Sequence, residues 1–344
     1  MADRIGMESL PLVTVVVPCR NEEASIAAAL EAVAAQTYPI ERMEVVVVDG
    51  ASADRTQHVA KEMLGRYPFA RCEVVENTVG ATPSNLNRGL DWARGDVLVR
   101  IDARSRPPVD YVETLVGVLS TRDDIAVCGG SQIAERRSDR RTDVAIARAL
   151  NNRLGMGGAR YRRAGAASGP TDTAYLGVFR TAQLRSVGGW NPDYPTNQDF
   201  ELNQRMTRFG QVWFQAELPV GYVPRAKVAE IFRQYRRFGG WKVRYWRDGH
   251  RPQPRQMVLI AAPAGALAVA SWAIATGGAP AALGLMAAGV GGALVIDLVG
   301  ADGDVGPLTR LEAGAINLLI GAAWFGGILE AVVRRPTIDR SPIR

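Results

Sequence analysis

Histidine and cysteine are nearly missing from this chain: its 344 residues include two His and three Cys. Cys19, Cys72 and Cys128 are odd in number and lack metal-ligand spacing, which argues against a disulfide framework and points to a reducing compartment. His58 sits in a helical pattern, where a surface or packed side chain is the simpler reading, and His250 stands among basic residues. No G-x-G-x-x-G follows the first apolar run and no G-x-x-x-x-G-K-[ST] occurs, which disfavours dinucleotide oxidoreductases and P-loop NTPases. No internal repeat is evident. The apolar run 12–17 is too short for a signal sequence and reads as a strand. The 36 Gly and 19 Pro follow no period, so a collagen-like chain is excluded; 47% apolar and 22% charged residues exclude a disordered one.

Charge is missing from one region in particular. Residues 257–277 carry none, and 257–333 carry only Asp297, Asp302, Asp304, Arg310, Glu312 and Glu330. Segments 257–277, 281–300 and 316–333 each approach the length of about 20 apolar residues that a bilayer requires. A buried hairpin of a soluble domain is the competing reading, and three such segments in succession weigh against it. Their Gly and Ala content suits close helix packing in lipid. Upstream, residues 225–255 hold ten Lys/Arg against Glu230 and Asp248, a local +8 that exceeds the whole-chain +6. The high isoelectric point is therefore local, and nucleic-acid binding is not needed to explain it. Interleaved Phe232, Tyr235, Phe238, Trp241, Tyr245 and Trp246 fit a helix lying at an anionic lipid surface; a solvated basic face is the alternative. The positive-inside rule places this segment and the preceding domain in the cytoplasm. The basic tail, with Arg334, Arg335, Arg340 and Arg344, disagrees with three full spans, so either one segment does not span or the tail is an exception.

The first 230 residues alternate strand and helix. Apolar runs at 13–17, 45–48 and 97–101 are separated by helical patterns at 22–36, 55–66 and 83–93, which predicts a mostly parallel sheet covered on both faces. Ligands bind beyond the carboxyl ends of such strands. Three of the runs end there in polar groups: Arg20-Asn21-Glu22, Asp49 and Asp102.

These residues carry a resemblance. Val15-Val16-Val17-Pro18-Cys19-Arg20-Asn21-Glu22 resembles the opening strand of the family 2 inverting glycosyltransferases. Asp49-Gly50-Ala51-Ser52-Ala53-Asp54-Arg55-Thr56 is similar to their second motif, and Asn77, Gly80, Asn85, Asn87 and Gly89 match the N…G…N-x-G pattern that follows. Gln198-Asp199-Phe200-Glu201-Leu202 looks like the E/Q-D motif that supplies the base; Gln234-Tyr235-Arg236-Arg237-Phe238 with Trp241 resembles a degenerate Q-x-x-R-W. Each motif is weak alone, but five in order over 11–245 are specific. The Ile101-Asp102-Ala103 segment, Asn197-Gln198-Asp199 and the apolar, membrane-type tail look most like the succinoglycan-type ExoA subgroup, which builds exopolysaccharide units on a lipid carrier.

The resemblance implies an α/β GT-A (nucleotide-diphospho-sugar transferase) domain over 1–230, followed by C-terminal transmembrane helices. The expected layout is a basic interfacial segment at 231–256, an anchor of about three helices at 257–333 and a basic tail at 334–344. It implies a donor-nucleotide site from Pro18, Arg20, Asn21, Glu22, Asp49, Ser52, Asn85, Arg88, Asp102 and Arg104. Asp49 would accept from a uracil N–H; a helix-capping role is its alternative. Asp102 occupies the first position of a D-x-D that holds Mg²⁺ or Mn²⁺ against the diphosphate; capping a turn before Pro107-Pro108 is its alternative. Arg104 replaces the second Asp and cannot ligate a metal. Either Asp102 binds the ion with ligands from elsewhere, or Arg104 supplies the positive charge itself. Asp199 is the expected catalytic base, with helix capping as its alternative. Gln234, Arg236, Arg237, Trp241 and Asp172 are candidates for diphosphate or acceptor contact. The Gly/Ala/Arg-rich stretch 155–169 is either a loop over the donor or a linker.

The implied reaction moves a hexose, glucose from UDP-glucose foremost, onto a polyprenyl-linked saccharide at the cytoplasmic face of a bacterial-type inner membrane. The partners are then a UDP-sugar, that acceptor and membrane lipids. Polyprenyl phosphate as acceptor, a contribution of the tail to a polymer channel, and a non-catalytic nucleotide-sugar-binding regulator are the alternatives; three short spans are few for a channel, and Asp199 argues against the regulator.

Overall fold

Strands form here where β-branched residues run without interruption. The computed structural model describes residues 10–152, 161, 166–252, 254–276 and 305–334. The described strands are β1 (Val13–Cys19), β2 (Met43–Asp49), β3 (Arg71–Glu76), β4 (Val97–Arg100), β5 (Ser105–Arg106), β6 (Ile125–Ala134), β7 (Gly169–Pro170), β8 (Tyr175–Arg180) and β9 (Gln211–Tyr222). The described α-helices are α1 (Ile26–Ala34), α2 (Thr56–Leu64), α3 (Thr82–Trp92), α4 (Tyr111–Thr121), α5 (Arg141–Asn151), α6 (Thr181–Ser186), α7 (Gln198–Met206), α8 (Val228–Arg247), α9 (Pro254–Ala275) and α10 (Pro307–Val333).

The chain divides into two compact units. The first holds the sheet and comprises the described residues up to Ile133 and from 166 to Tyr222; the second takes up Ala134–152 and continues from Val223. Strand order in the sheet is β3-β2-β1-β4-β8-β6-β9-β5, with β7 on β9. β3, β2, β1 and β4 are parallel, as the alternation of strand and helix predicts. β8 pairs antiparallel with β4 and β6, and β9 antiparallel with β5 and β7, a change the apolar runs did not reveal. The order turns back between β1 and β4, and open α/β sheets bind ligands at such a switch point.

Every residue of β1 and β2 is buried. Alternate side chains reach opposite layers. Val13, Val15 and Val17 pack with Ile26, Leu30 and Leu115 on one face; Val16, Val46 and Val48 pack with Leu86, Leu90 and Leu202 on the other. Two of the polar residues buried in these strands satisfy each other: Thr14 Oγ1 donates to Glu44 Oε2 at 2.7 Å. Gly89 of α3 lies so close to β1 that a Cβ there would sit 2.3 Å from Val16 Cγ1.

In the second unit, α8 carries the basic-aromatic sequence as one 20-residue helix. Its buried residues include Ile231, Tyr235, Gly239 and Val243, and Val243 clusters with Ile328 and Ala331 of α10. The helices cross at two glycines: a Cβ on Gly239 would lie 2.0 Å from the Trp324 carbonyl oxygen, and one on Gly327 1.9 Å from that of Arg236. The two carboxylates of α10 are both paired. Glu312 accepts from Arg141 Nε at 2.8 Å and Thr142 Oγ1 at 2.7 Å; Glu330 accepts from Arg236 Nε at 2.9 Å. Among the described residues, α10 alone is long and apolar enough to cross a membrane by length and composition. Segment 281–300, most of 155–169 and nearly all of 334–344 lie outside the described residues.

Gly89→Ala is expected to cost about 1–3 kcal/mol through overpacking. Gly117→Ala, where nothing lies within 4 Å of the added Cβ, should be neutral or stabilising by up to about 1 kcal/mol. Denaturant unfolding of the two variants checks this contrast.

Candidate active site

The turns after β1 and β2 are laced together. Asn21 and Ala51 both adopt positive φ, 54° and 58°, which forces the chain into a sharp turn and delays the first helix from the expected 22 to Ile26. Asn21 N donates to Ser52 Oγ at 2.8 Å, and Asn21 Oδ1 accepts from Ala53 N at 2.9 Å. Glu22 N donates to Thr56 Oγ1 at 2.7 Å. Asp49 is fully buried. Its carboxylate accepts from Ser52 N and Gln57 Nε2, each at 2.9 Å, and from Ser52 Oγ. Asp49 therefore shapes the 49–56 turn, and a nucleobase reaching it would share it with these donors. Pro18 is buried in β1 beside Val48. Asn85 bridges Asn77 Nδ2 (2.8 Å) and the Cys19 carbonyl (3.4 Å). The Arg20 guanidinium lies against Gly80, whose φ is +68°. Arg88 is exposed on α3 and takes no part in these bonds. Burial and the neighbouring Asp49 push the Cys19 thiol's pKa far up, so it stays protonated.

The carboxyl end of β4 carries the central charge cluster. Arg100, its last residue, has a side chain only 7% exposed. Its Nε and Nη2 donate to Asp102 Oδ1 and Oδ2 at 2.7 and 3.1 Å. Its Nη1 donates to Asp199 Oδ1. Asp199 stands in the first turn of α7, and Trp190 Nε1 donates to the same Oδ1 at 3.2 Å. Among the described residues Asp199 Oδ2 accepts no hydrogen bond. Asp199 makes no capping bond; the residue at the cap is Asn197, with φ 60°. Enclosure by the surrounding protein and the charge of Asp102 raise the Asp199 pKa, while Arg100 and the indole N–H oppose the rise.

Trp190 is held in turn by a residue of the N-x-G pattern. Asn87 Nδ2 donates to the Trp190 carbonyl at 2.7 Å and Asn87 Oδ1 accepts from Trp190 N at 2.8 Å. The indole, wholly buried, meets Phe179 edge-on at 5.6 Å. The segment with Asp172 is tied to α7 as well: Gln204 Nε2 donates to the Asp172 carbonyl at 2.8 Å, and Asn203 Nδ2 to Thr173 Oγ1 at 3.0 Å. Arg104 Nε donates to both oxygens of Glu22 at 2.8 Å, so these two candidates meet as an ion pair.

Asp102 remains 32% exposed and offers hard oxygen ligands. No group of three or more His, Cys, Asp or Glu among the described residues is arranged to hold an ion. The donor set thus fits an ion held by one carboxylate together with substrate phosphates, the habit of Mg²⁺, and does not fit an all-protein cage. Gln234, Arg236, Arg237 and Trp241 lie on α8 of the second unit. Arg236 pairs with Glu330, Arg237 is exposed, and Arg244 lies over the Trp241 ring at 5.5 Å.

The family model Glycosyl transferase family 2 matches residues 14–146. Succinoglycan biosynthesis protein ExoA of Rhizobium meliloti (strain 1021) is 29% identical over 326 residues, spanning 92% of this chain and 94% of that protein. Residues 14–146 of this chain thus form a family 2 glycosyltransferase domain. A dolichyl N-acetyl-α-D-glucosaminyl phosphate 3-β-D-2,3-diacetamido-2,3-dideoxy-β-D-glucuronosyltransferase of Methanococcus voltae is 26% identical, over 69% of this chain and 75% of its own. Among solved structures, the mannosyltransferase PcManGT from Pyrobaculum calidifontis, in complex with GDP-Man and Mn²⁺, covers 95% of this chain and 88% of its own with TM-score 0.59 at 22% identity. That likeness carries the GT-A fold. The family match contains Asp49 and Asp102 and stops short of Asp199.

Three residues of this glycosyltransferase's cluster were not singled out as site residues from sequence: Arg100, Trp190 and Asn87. Arg100 had a signal, since an Arg closing an apolar strand two residues before an Asp is a buried cation in need of carboxylates. Trp190 and Asn87 lie 103 residues apart and meet only in the fold. Asn87→Ala strips the buried Trp190 backbone of both partners and is expected to cost about 1–3 kcal/mol, read by denaturant unfolding followed through tryptophan fluorescence.

Proposed function

We infer that the protein transfers a hexose, with inversion, from a nucleoside-diphosphate sugar to a lipid-linked saccharide at a membrane face. The observation that carries this reading is Asp199: one oxygen is anchored by Arg100 and Trp190, and the other has no hydrogen-bond partner among the described residues. A carboxylate so held is a base with a defined lone pair. As the acceptor hydroxyl attacks the anomeric carbon, its proton passes to Oδ2. The bond from that carbon to the diphosphate oxygen breaks, and the nucleoside diphosphate departs with the electron pair. No carboxylic acid is needed for such a leaving group, unlike a glycosidase.

Asp102 is the residue that would hold Mg²⁺ or Mn²⁺, which supplies charge neutralisation to the leaving diphosphate when bound. Arg104 is the second cation on this edge, and a diphosphate engaging it would displace Glu22. The donor turn is the laced segment 20–22 with 49–56. UDP-glucose is the first donor to try. The ExoA likeness supports exopolysaccharide synthesis, and the lipid phosphate in the Methanococcus relative's name supports a lipid-linked acceptor. The basic α8 and the apolar α10 support membrane seating, with the sheet-bearing unit on the cytoplasmic side.

Asp199→Asn is expected to lower acceptor-dependent UDP release from UDP-glucose by about 10²–10⁴-fold, measured in native membranes containing polyprenyl-linked acceptors. Equal release by both proteins would overturn the assignment. The base works unprotonated, and its pKa lies above the ordinary 3.8. Activity should therefore fall as pH drops through that raised value, placing the acid limb of kcat/KM above 3.8. The residual activity of Asp199→Asn should lack that limb.

A further inference from the structure

The geometry points to Arg100 as a positioning residue that locks the donor-side carboxylate Asp102 and the base Asp199 into one unit and selects Oδ2 of Asp199 as the oxygen that receives the acceptor's proton. This rests on the function proposed above. Arg100 comes from β4, Asp102 from the turn after it and Asp199 from α7, so a single guanidinium joins parts of the chain 99 residues apart. All side-chain hydrogen bonds of Arg100 among the described residues go to these two carboxylates. Their exposure is unequal in an informative way: the Arg100 side chain is 7% exposed, against 32% for Asp102 and 39% for Asp199. The cation lies beneath, and the two acids face outward.

A guanidinium presents five N–H donors in a planar fork. Here Nε and Nη2 grip Asp102 with two bonds, which fixes the plane of the fork and with it the directions of the two Nη1 N–H bonds. Asp199 Oδ1 takes that donor and the Trp190 indole N–H together, so the carboxylate cannot turn without losing both. A lysine at this site keeps the charge but has one nitrogen at its tip, and it has no fork with which to orient two carboxylates. Plain charge neutralisation would be satisfied by lysine, whereas positioning would not.

Steady-state kinetics on the full-length protein in membranes test this, with UDP-glucose and a polyprenyl-linked acceptor, comparing wild type, Arg100→Lys and Trp190→Phe. Binding of UDP-glucose to each variant serves as the check of folding. Arg100→Lys should lower kcat about a hundredfold, the cost of a misplaced reacting group, and, because it also frees Asp102, should raise the donor KM. Trp190→Phe, which removes the other bond to Oδ1 and leaves Asp102 gripped, should lower kcat by a smaller factor without moving the donor KM. Wild-type kcat in Arg100→Lys overturns the inference. If Arg100→Lys fails to bind donor, Trp190→Phe decides: unchanged kcat there overturns the anchoring of Oδ1. Absence of transfer by wild type itself would instead overturn the proposed function, and loss of transfer in Asp199→Asn with an active wild type keeps the two failures apart.

Discussion

A buried guanidinium between two carboxylates organises the candidate catalytic unit. Taking Arg100 out of water carries a desolvation cost of several kcal/mol, which is recovered only with good geometry and charged partners. Asp102 and Asp199 supply both. The cluster sits at the end of β4, next to the point where the strand order turns back. On the β1 side, two laced turns present the candidate donor residues. On the β8 side, Trp190, α7 and the 172–173 segment carry the candidate base and acceptor residues. Arg100 belongs to one strand by its backbone and to both sides by its charge.

The second unit solves a related problem. An apolar helix with two acids would be costly to bury or to place in lipid unless the acids were neutralised. Glu312 and Glu330 find Arg141 and Arg236 on neighbouring helices. The paired glycines at the α8–α10 crossing bring the two backbones into contact. Part of the basic character of α8 is thus used inside the protein: Arg236 is neutralised by Glu330, while Arg237 stays exposed.

Much of the first unit was legible because parallel strands buried on both faces must be continuous apolar runs. β1, β2 and β4 announce themselves in the runs 13–17, 45–48 and 97–101. The polar residues closing those runs had to fall on one edge. The antiparallel half was not legible, since β6, β8 and β9 carry mixed sequences whose pairing depends on contacts distant along the chain. For the same reason Asp199 was read as a carboxylate at a helix start, but its partners were invisible: Arg100 is 99 residues away and Trp190 is aimed by Asn87. Asp49 shows the converse. Its place at the strand end was plain, and the donors that surround it, Ser52 and Gln57, turn a simple acceptor into the brace of a turn.

One base and one displacement leave a stereochemical record. The most direct measurement is the anomeric configuration of the transferred sugar, read by NMR on product made from α-linked UDP-glucose by the wild-type protein. A single in-line displacement gives a β-linked product, inverted at the anomeric carbon. An α-linked product would require two displacements or a front-side route, and would contradict Asp199 acting as the base of a single in-line transfer.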